Sequence, residues 1–505
     1  MSILARARSR PTQPFQIPQR LFSSCASFSR AWLPKYTQKA GTSPHYPSLR
    51  LTVHRSSTWL PPQVRRQVSH RSHIEAMASA PDETYLIVGA GIFGASTALS
   101  LIRKYPAANV RIIDREPFPC QLAASWDWNK IIRAEYNDIF YMKLALEAKD
   151  HWENDPMYSP FYHVANGVWI QDTNMADVIS DNYAELGLPD LVKRYTVEEG
   201  KKIYDGLFDQ AEYEGIDQVL VSTGTGWAEA TKALTKVLQE ATEAGLRHVN
   251  GNVISLVFND AGDCIGVRTA SEETLTASKT ILCTGAATAK LLADSAPYRK
   301  ELHAGGRFIA AAMCTALMTP EAEACAHFKD VPIVLHERLH YPGRGGFIPP
   351  TPDGNFKWWA DITFSNLTKH ESGEDISSPP TGPYQGQWDV PESFHDEMIT
   401  GRDVIFGEKA KHFGFDKYRF CWDAISRDDN FFIGPHPASK NLYLATVGSF
   451  HSWKFLPIIG SYIVKMLEGT LEDEYTQRWA WDREIEREGA HGYWPKRDWK
   501  DLIKV

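Results

Sequence analysis

A short apolar run, Tyr85–Val88, leads directly into Gly89, Gly91 and Gly94, and the residues that follow, Ala95 to Tyr105, are helix formers. Strand, G-x-G-x-x-G turn and helix in that order leave few folds open. The first glycine allows a tight turn, the second lets backbone amides approach a pyrophosphate, and the third permits close helix–strand packing. The helix N-terminus then attracts the anion. The next apolar segment, NVRIIDRE, carries Asp114 20 residues after Gly94, where an acid hydrogen-bonds a ribose hydroxyl. This motif fits NAD and FAD alike.

The chain downstream separates the two cofactors. An NAD dehydrogenase continues with regular βα units, whereas this chain runs into AASWDWNKIIRAEYND. A helix is expected from about Ile139 to Trp152, with Phe140, Leu144, Ala148 and Trp152 at i, i+4 spacing. Much later come a helix expected over Trp227–Ala244, a strand carrying Val253, a hairpin turned at NDAGD and a strand ending at Gly285. The nucleotide domain is therefore assembled from separated segments, as in glutathione-reductase-type FAD domains.

Composition sets the bounds. The 505 residues allow two or three domains, and 43% hydrophobic with 23% charged residues describes an ordinary globular chain. Residues 1–80 hold ten Arg and two Lys against one acid, Glu75, leaving 42 basic and 61 acidic residues in 81–505. The acidic body gives no support to nucleic-acid binding. The basic, Ser- and Pro-rich tail has the composition of a mitochondrial transit peptide. It reads equally as sequence upstream of a start at Met77, and in either case it is expected to be disordered. The location is thus expected to be intracellular, mitochondrial or cytoplasmic, and the C-terminus carries no SKL-type signal. No run approaches the roughly 18 apolar residues that span a bilayer. Seven scattered cysteines, none in a C-x-x-C pair, point to a reducing compartment. No H-E-x-x-H or clustered His set suggests a metal site. HESGEDISSPPTGPYQG, residues 370–386, is expected as a loop covering the substrate side.

Four further motifs occur in order: NKIIR with Lys130 and Arg133, DGNFKWWADITF with Lys357, CWDAISRDDNFFIG with Cys421, and VGSFHSWKFLPIIG with Lys454. Over about residues 84–470 the sequence resembles the FAD-dependent amine oxidases of the monomeric sarcosine oxidase family. Its nearest look is to the fungal L-saccharopine or L-pipecolate oxidases and the fructosyl amino acid oxidases. The resemblance implies a thioether from Cys421 to the flavin, Lys130 over the flavin, and a substrate carboxylate gripped by Arg133 and Lys454. It implies that Lys357 activates dioxygen. It also sets Ile92, Phe93, Arg115, Ser125, Asn129, Val253 and Phe450 around the cofactor, beside the glycines and Asp114. Three positions depart from the pattern. Ser426 stands for the usual Thr, and Phe450 and Ser452 replace glycines that flank His451. Asp423 either steers a cationic substrate or caps the following turn.

The expected fold is α/β: an interleaved two-domain flavoprotein with a mostly antiparallel-sheet substrate domain. FAD-binding segments are expected at 84–135, 215–300 and 415–470, substrate-domain segments at 136–214 and 301–414, and a C-terminal extension at 471–505. The expected reaction is oxidation of a secondary amine bearing a carboxylate, with molecular oxygen as acceptor, by a monomer. A flavin dehydrogenase serving a carrier protein and a non-catalytic nucleotide-binding flavoprotein are the alternatives.

Overall fold

In the computed structural model the glycine motif joins the strand Thr84–Val88 to the helix Ile92–Lys104. The structure describes residues 83–172, 174–319, 328, 330–337, 343–380, 387–410, 414–485, 489 and 492–503. The expectations for residues 1–80, and for part of the 370–386 loop, lie outside them. The chain divides into two units at His73/Ile74, and all described residues belong to the second.

Thr84–Val88 sits near the middle of a six-stranded sheet, buried on both faces as its unbroken apolar run requires. The strand order is Phe432–Pro435, Leu442–Thr446, Lys279–Leu282, Thr84–Val88, Asn109–Asp114 and Arg247–Asn250. All neighbours run parallel except the antiparallel edge strand Phe432–Pro435. Three distant stretches of chain thus build one sheet. The helix Ile92–Lys104 is buried on most sides because it lies against both Ala230–Glu243 and Ile459–Glu468. The second crossing needs a glycine: a Cβ on Gly460 would collide with the Ser96 carbonyl. Ser96 Oγ ties the contact by accepting from Gly460 N at 2.9 Å and donating to Leu456 O at 2.8 Å.

The second layer is an eight-stranded sheet. Its order is Lys417–Ser426, Phe308–Met318, Phe356–Ala360, Gly345–Ile348, Ile333–His336, Gly167–Ile170, Gln218–Ser222 and Val192–Thr196. Only the Ile333–His336/Gly167–Ile170 pair is parallel. A small sheet of Asn129–Ile132, Gly226–Glu229 and Tyr162–Val164 lies beside these two.

Several boundaries differ from those read in the sequence. Gln218–Ser222 and Lys417–Ser426, assigned above to the nucleotide-binding segments, pair into the eight-stranded sheet. The expected helix at Trp227 starts at Ala230, because Trp227 is taken up by strand pairing with Ile131. The apolar stretch after Lys454 is not one helix. A 3₁₀ turn, Ser452–Phe455, precedes Ile459–Glu468, since Pro457 has no N–H to carry the helical hydrogen-bond ladder onward. Within 370–386, Asp375–Ser377 forms a hairpin with Leu367–Lys369 rather than open loop. The described part of residues 471–505 is no appendage: Trp479 is fully buried, and Trp481 and Trp499 are 6% and 7% exposed.

Candidate active site

The first glycine turn opens a long cavity. Gly89 has φ 101°, a conformation that favours glycine, and its N–H donates to Ile113 O at 2.8 Å. A Cβ on Gly91 would stand 2.8 Å from Ser125 Oγ, and one on Gly94 would collide with the Gly89 carbonyl. Ser125 Oγ accepts from Ile92 N at 3.0 Å, which pins the following loop to the helix start. Asp114 closes the second strand, accepting from Ala90 N and Arg115 N, both at 2.7 Å. Gly89, Gly91, Ile92, Phe93, Asp114, Arg115, Ser125, Lys130, Val253, Cys421 and Phe450 all line this cavity, with Thr284–Ala287 on the far wall. A backbone cradle that side chains would fill, a helix start and a ribose-length acid fit the diphosphate and ribose of FAD. Three expected cofactor residues lie elsewhere. Gly94 packs under the turn, Lys454 lines the neighbouring cavity, and Asn129 is fully buried beneath both.

That neighbouring cavity shares Lys130, Cys421, Phe450 and Trp453 with the first, so the two adjoin. Four cations reach it in two pairs. Lys130 Nζ and Lys357 Nζ lie 2.8 and 2.5 Å from the same oxygen of Asp127, a fully buried carboxylate. Lys357 also donates to the Asn129 carbonyl at 3.2 Å, which gives Asn129 its place in the site. Burial pushes the Asp127 carboxyl upward, but the charges of Lys130, Lys357 and Arg419 hold it well below the usual range. Lys357 falls to about 8, chiefly through burial, with Asp127 opposing. Lys357 is thus buried, at 4% exposure.

Arg133 and Lys454 form the second pair. Lys454 Nζ donates to Tyr136 Oη at 2.6 Å, and the Arg133 guanidinium lies 5.3 Å from the Tyr136 ring centre. Arg133 Nη1 also donates to the Glu135 carbonyl. Glu135 spends its carboxylate on Ser222 and Thr225. Among the described residues no carboxylate lies within ion-pair distance of either cation, although both are at least nine-tenths buried. Burial, and then the Arg133 charge, drive Lys454 well below its ordinary pKa.

Cys421 lies between the two cavities on Lys417–Ser426, and Asp423 follows it on the same face. Asp423 caps a turn: it accepts from Phe450 N at 3.0 Å and Ala424 N at 2.8 Å. Burial raises its carboxyl to about 6. The capped loop runs through left-handed backbone at Val447, Ser449 and Phe450, φ 69°, 46° and 58°. Phe450 thus adopts a glycine-like conformation despite its side chain. Such strain persists only where surroundings over-determine it, here through Asp423 and the Tyr493 ring 5.5 Å away. His451 bridges Tyr136 Oη and the Asp429 carbonyl at 3.0 and 2.8 Å.

Sequence reading missed Glu337, Asp361 and Tyr493 on the substrate side, and Arg419. No motif marks them. Arg419 is fully buried two residues before Cys421, and its Nε and Nη1 have no hydrogen-bond partner among the described residues. Its remaining nitrogen donates to Ala123 O at 2.9 Å.

The model of the FAD dependent oxidoreductase family matches residues 84–466. L-saccharopine oxidase of Schizosaccharomyces pombe is 29% identical over 412 residues, covering 79% of this chain and 93% of that protein. The amino acid oxidase imqH of Aspergillus flavus is 23% identical over 458 residues, covering 76% and 92%. Among solved structures, fructosyl peptide oxidase from E. terrenum superposes with a TM-score of 0.70 at 25% identity, covering 85% of this chain and 98% of that one. The Aspergillus fumigatus fructosamine oxidase, Amadoriase II, matches with a TM-score of 0.70 at 24% identity over the same shares. Glycine cradle, paired sheets and family match agree: the chain belongs to the FAD dependent oxidoreductase family.

Proposed function

We propose that this oxidoreductase oxidises the C–N bond of an amino acid whose nitrogen is a secondary amine, giving an imine that hydrolyses, with dioxygen reduced to hydrogen peroxide. One observation carries the reading: Arg133 and Lys454 face the inner cavity, buried and without a carboxylate partner among the described residues. Uncompensated buried charge costs several kcal/mol, so the pair is matched to an anion brought from outside. A substrate carboxylate fits, since the planar fork of Arg133 makes bidentate bonds. The relatives named for saccharopine, amino acids and fructosyl peptides support the same class.

FAD, when bound, supplies the two-electron acceptor. Arg133 and Lys454 orient the substrate by its carboxylate, and their charges favour the neutral amine over the ammonium, the form that can give up its C–H electrons. Lys357, held by Asp127 and the Asn129 carbonyl, places a cation where negative charge develops on dioxygen. Phe450 and Trp453 wall the junction of the two cavities and exclude water. Cys421 is proposed to bond the flavin covalently, in a monomeric enzyme.

Anaerobic titration of the yellow protein with N-alkyl amino acids tests the proposal. Bleaching, followed by recovery of colour and peroxide in stoichiometric amount on admitting air, is expected. Bleaching without peroxide would transfer the chain to carrier-linked dehydrogenases, and no bleaching by any carboxylate-bearing amine overturns the reading. Acid precipitation tests the attachment. A yellow pellet with FAD on the Cys421 peptide is expected, and a colourless pellet overturns it.

A further inference from the structure

The hydrogen bonds that end at Lys454 have a fixed direction. The Asp429 carbonyl only accepts, so His451 Nε2, 2.8 Å away, carries a hydrogen and donates it. In the neutral ring Nδ1 is then an acceptor, and the hydrogen in its 3.0 Å contact with Tyr136 Oη belongs to the phenol. Tyr136 Oη therefore meets Lys454 Nζ as an acceptor, at 2.6 Å. A neutral Lys454 spends one N–H on that contact and keeps its lone pair for the cavity it lines. The arrangement is held from behind, where Trp152 Nε1 donates to the Lys454 carbonyl at 2.7 Å.

A neutral Lys454 suits the empty site. Burial and the Arg133 charge both disfavour its ammonium, and Glu135, the one opposing charge, has its carboxylate engaged by Ser222 and Thr225. An incoming carboxylate reverses the preference, because an opposite charge nearby favours the charged form. The proton then required arrives with the ligand. Nitrogen and carboxylate of an α-amino acid sit on one carbon, so a group that touches the carboxylate reaches the ammonium as well. The other ionisable groups of the cavity are committed elsewhere. Lys130 and Lys357 are held by Asp127, and both ring nitrogens of His451 are used. Glu337, Asp361 and Tyr493 lie in the field of Arg344, and Cys421 faces the cofactor cavity too.

We propose that Lys454 takes the proton of the substrate ammonium, with Tyr136 and His451 as the positioning residues that turn its lone pair toward the substrate. This deepens the amino acid oxidase reading and rests on it. The substrate enters as a zwitterion. An N–H bond breaks and the proton joins the Lys454 lone pair, giving a neutral amine and a lysine ammonium that pairs with the carboxylate beside Arg133. The C–H bond next to nitrogen then breaks, its hydrogen and electron pair pass to the flavin, and a protonated imine remains. Charge is conserved throughout, and no proton has to leave for the solvent before oxidation.

Two isosteric ligands that cannot be oxidised decide the matter. 2-Aminoisobutyrate has no hydrogen on the carbon that bears nitrogen, and 2,2-dimethylpropanoate has no nitrogen. Each is bound to the oxidised holoenzyme near neutral pH, with calorimetry in buffers of different ionisation enthalpy. 2,2-Dimethylpropanoate is expected to draw about one proton from the buffer, and 2-aminoisobutyrate about none, because it brings its own. Lys454→Met should abolish the uptake. The same proton count for both ligands in wild type, or a proton released by 2-aminoisobutyrate, overturns the inference and leaves the oxidase reading standing.

Kinetics supply a second check. Lys454→Arg keeps a cation for the carboxylate but cannot accept a proton. Its kcat/KM for an N-alkyl amino acid should fall roughly 1000-fold at about three pH units below the amine pKa, following the free-amine fraction, and recover as pH approaches that pKa. A loss equal at every pH would make Lys454 a carboxylate anchor alone and overturn the proposal. Tyr136→Phe should lower kcat/KM roughly 2- to 10-fold, the range for a neutral hydrogen bond. The acidic limb of its pH profile should also move to lower pH, since the Lys454 ammonium has lost an acceptor. An unmoved limb would make Tyr136 merely structural. If no N-alkyl amino acid bleaches the flavin, the oxidase reading fails, and the calorimetric pattern still decides the role of Lys454. Retained FAD absorbance in each variant shows that it has folded.

Discussion

Two pairs of cations face one cavity and are treated in opposite ways. Lys130 and Lys357 share the buried Asp127 carboxylate at 2.8 and 2.5 Å. Arg133 and Lys454 share only the Tyr136 side chain. Lys130 and Arg133 are three residues apart in sequence, so the contrast is not one of region or composition. It is one of function. A charge answered inside the protein is held in place before any ligand arrives, and a charge left unanswered is an invitation to the ligand. On the function proposed above, the first pair is held ready for chemistry and the second is kept for the substrate.

The largest effect is expected from removing the carboxylate that separates the two pairs. Asp127→Asn leaves two ammonium groups buried together, and breaking a buried pair typically costs about 3–5 kcal/mol. Denaturant unfolding of the holoenzyme should show that loss, and adding Lys357→Met should recover much of it. Wild-type stability in Asp127→Asn would mean that the first pair is not neutralised as described.

Arg133→Ala probes the other side of the comparison. Losing a hydrogen bond to a charged group costs about 1.5–3 kcal/mol, or roughly 10- to 150-fold in kcat/KM for a carboxylate substrate. The decarboxylated amine should hardly respond, and Arg133→Lys should restore only part. Unfolding stability should hold or rise, because the change relieves Lys454 of a like charge. Equal losses on both substrates would make Arg133 a support for flavin or fold.

The smallest effect is a pH inflection. Lys357 is charged below about 8 and neutral above it. Flavin reoxidation by oxygen should therefore be on a plateau below that pH and fall as pH rises through it. In Lys357→Met reoxidation should be slow at every pH, while anaerobic reduction remains comparatively intact. Stability carries the opposite sign. Burial sets the folded pKa below the ordinary 10.5, so the unfolded chain binds more protons at this group, and its contribution to stability grows from pH 8 toward 10.5. A flat reoxidation profile in wild type would remove Lys357 from oxygen chemistry.

The site was unevenly legible. The glycines and Asp114 were legible from residue type and spacing, because a backbone turn at a diphosphate needs particular residues a few positions apart, whereas Lys130, Arg133, Lys357, Cys421 and Lys454 were singled out through the family resemblance of the motifs that carry them. Lys357 could equally have been a surface lysine. Its burial came only with Asp127, 230 residues earlier in the chain. Glu337 was invisible: an acid at a strand end is ordinary until the sheet sets it beside Arg344 and Asp361. The misjudged boundaries share a cause. Lys417–Ser426 follows the motifs of the nucleotide-binding unit yet hydrogen-bonds to Phe308–Met318, more than 90 residues away, and strand partners at that distance leave no periodic signature.

Local chemistry was determined by the sequence itself. Gly89 and Gly91 specify the turn, the apolar run of Thr84–Val88 specifies a strand buried on both faces, and Asp138 specifies where the helix Ile139–Asn154 begins, accepting from Phe140 N at 3.0 Å. These features depend on neighbours a few residues away. Only the tertiary structure decided which charges meet. Asp127 was assigned to two lysines, none of the described carboxylates to Arg133 or Lys454, and Tyr493 of the supposed C-terminal extension to the substrate cavity. The physical reason is range. A hydrogen-bonded turn is settled within a few residues, whereas a Coulomb interaction in a buried site depends on distance and on excluded water, and both are set by the packing of segments hundreds of residues apart.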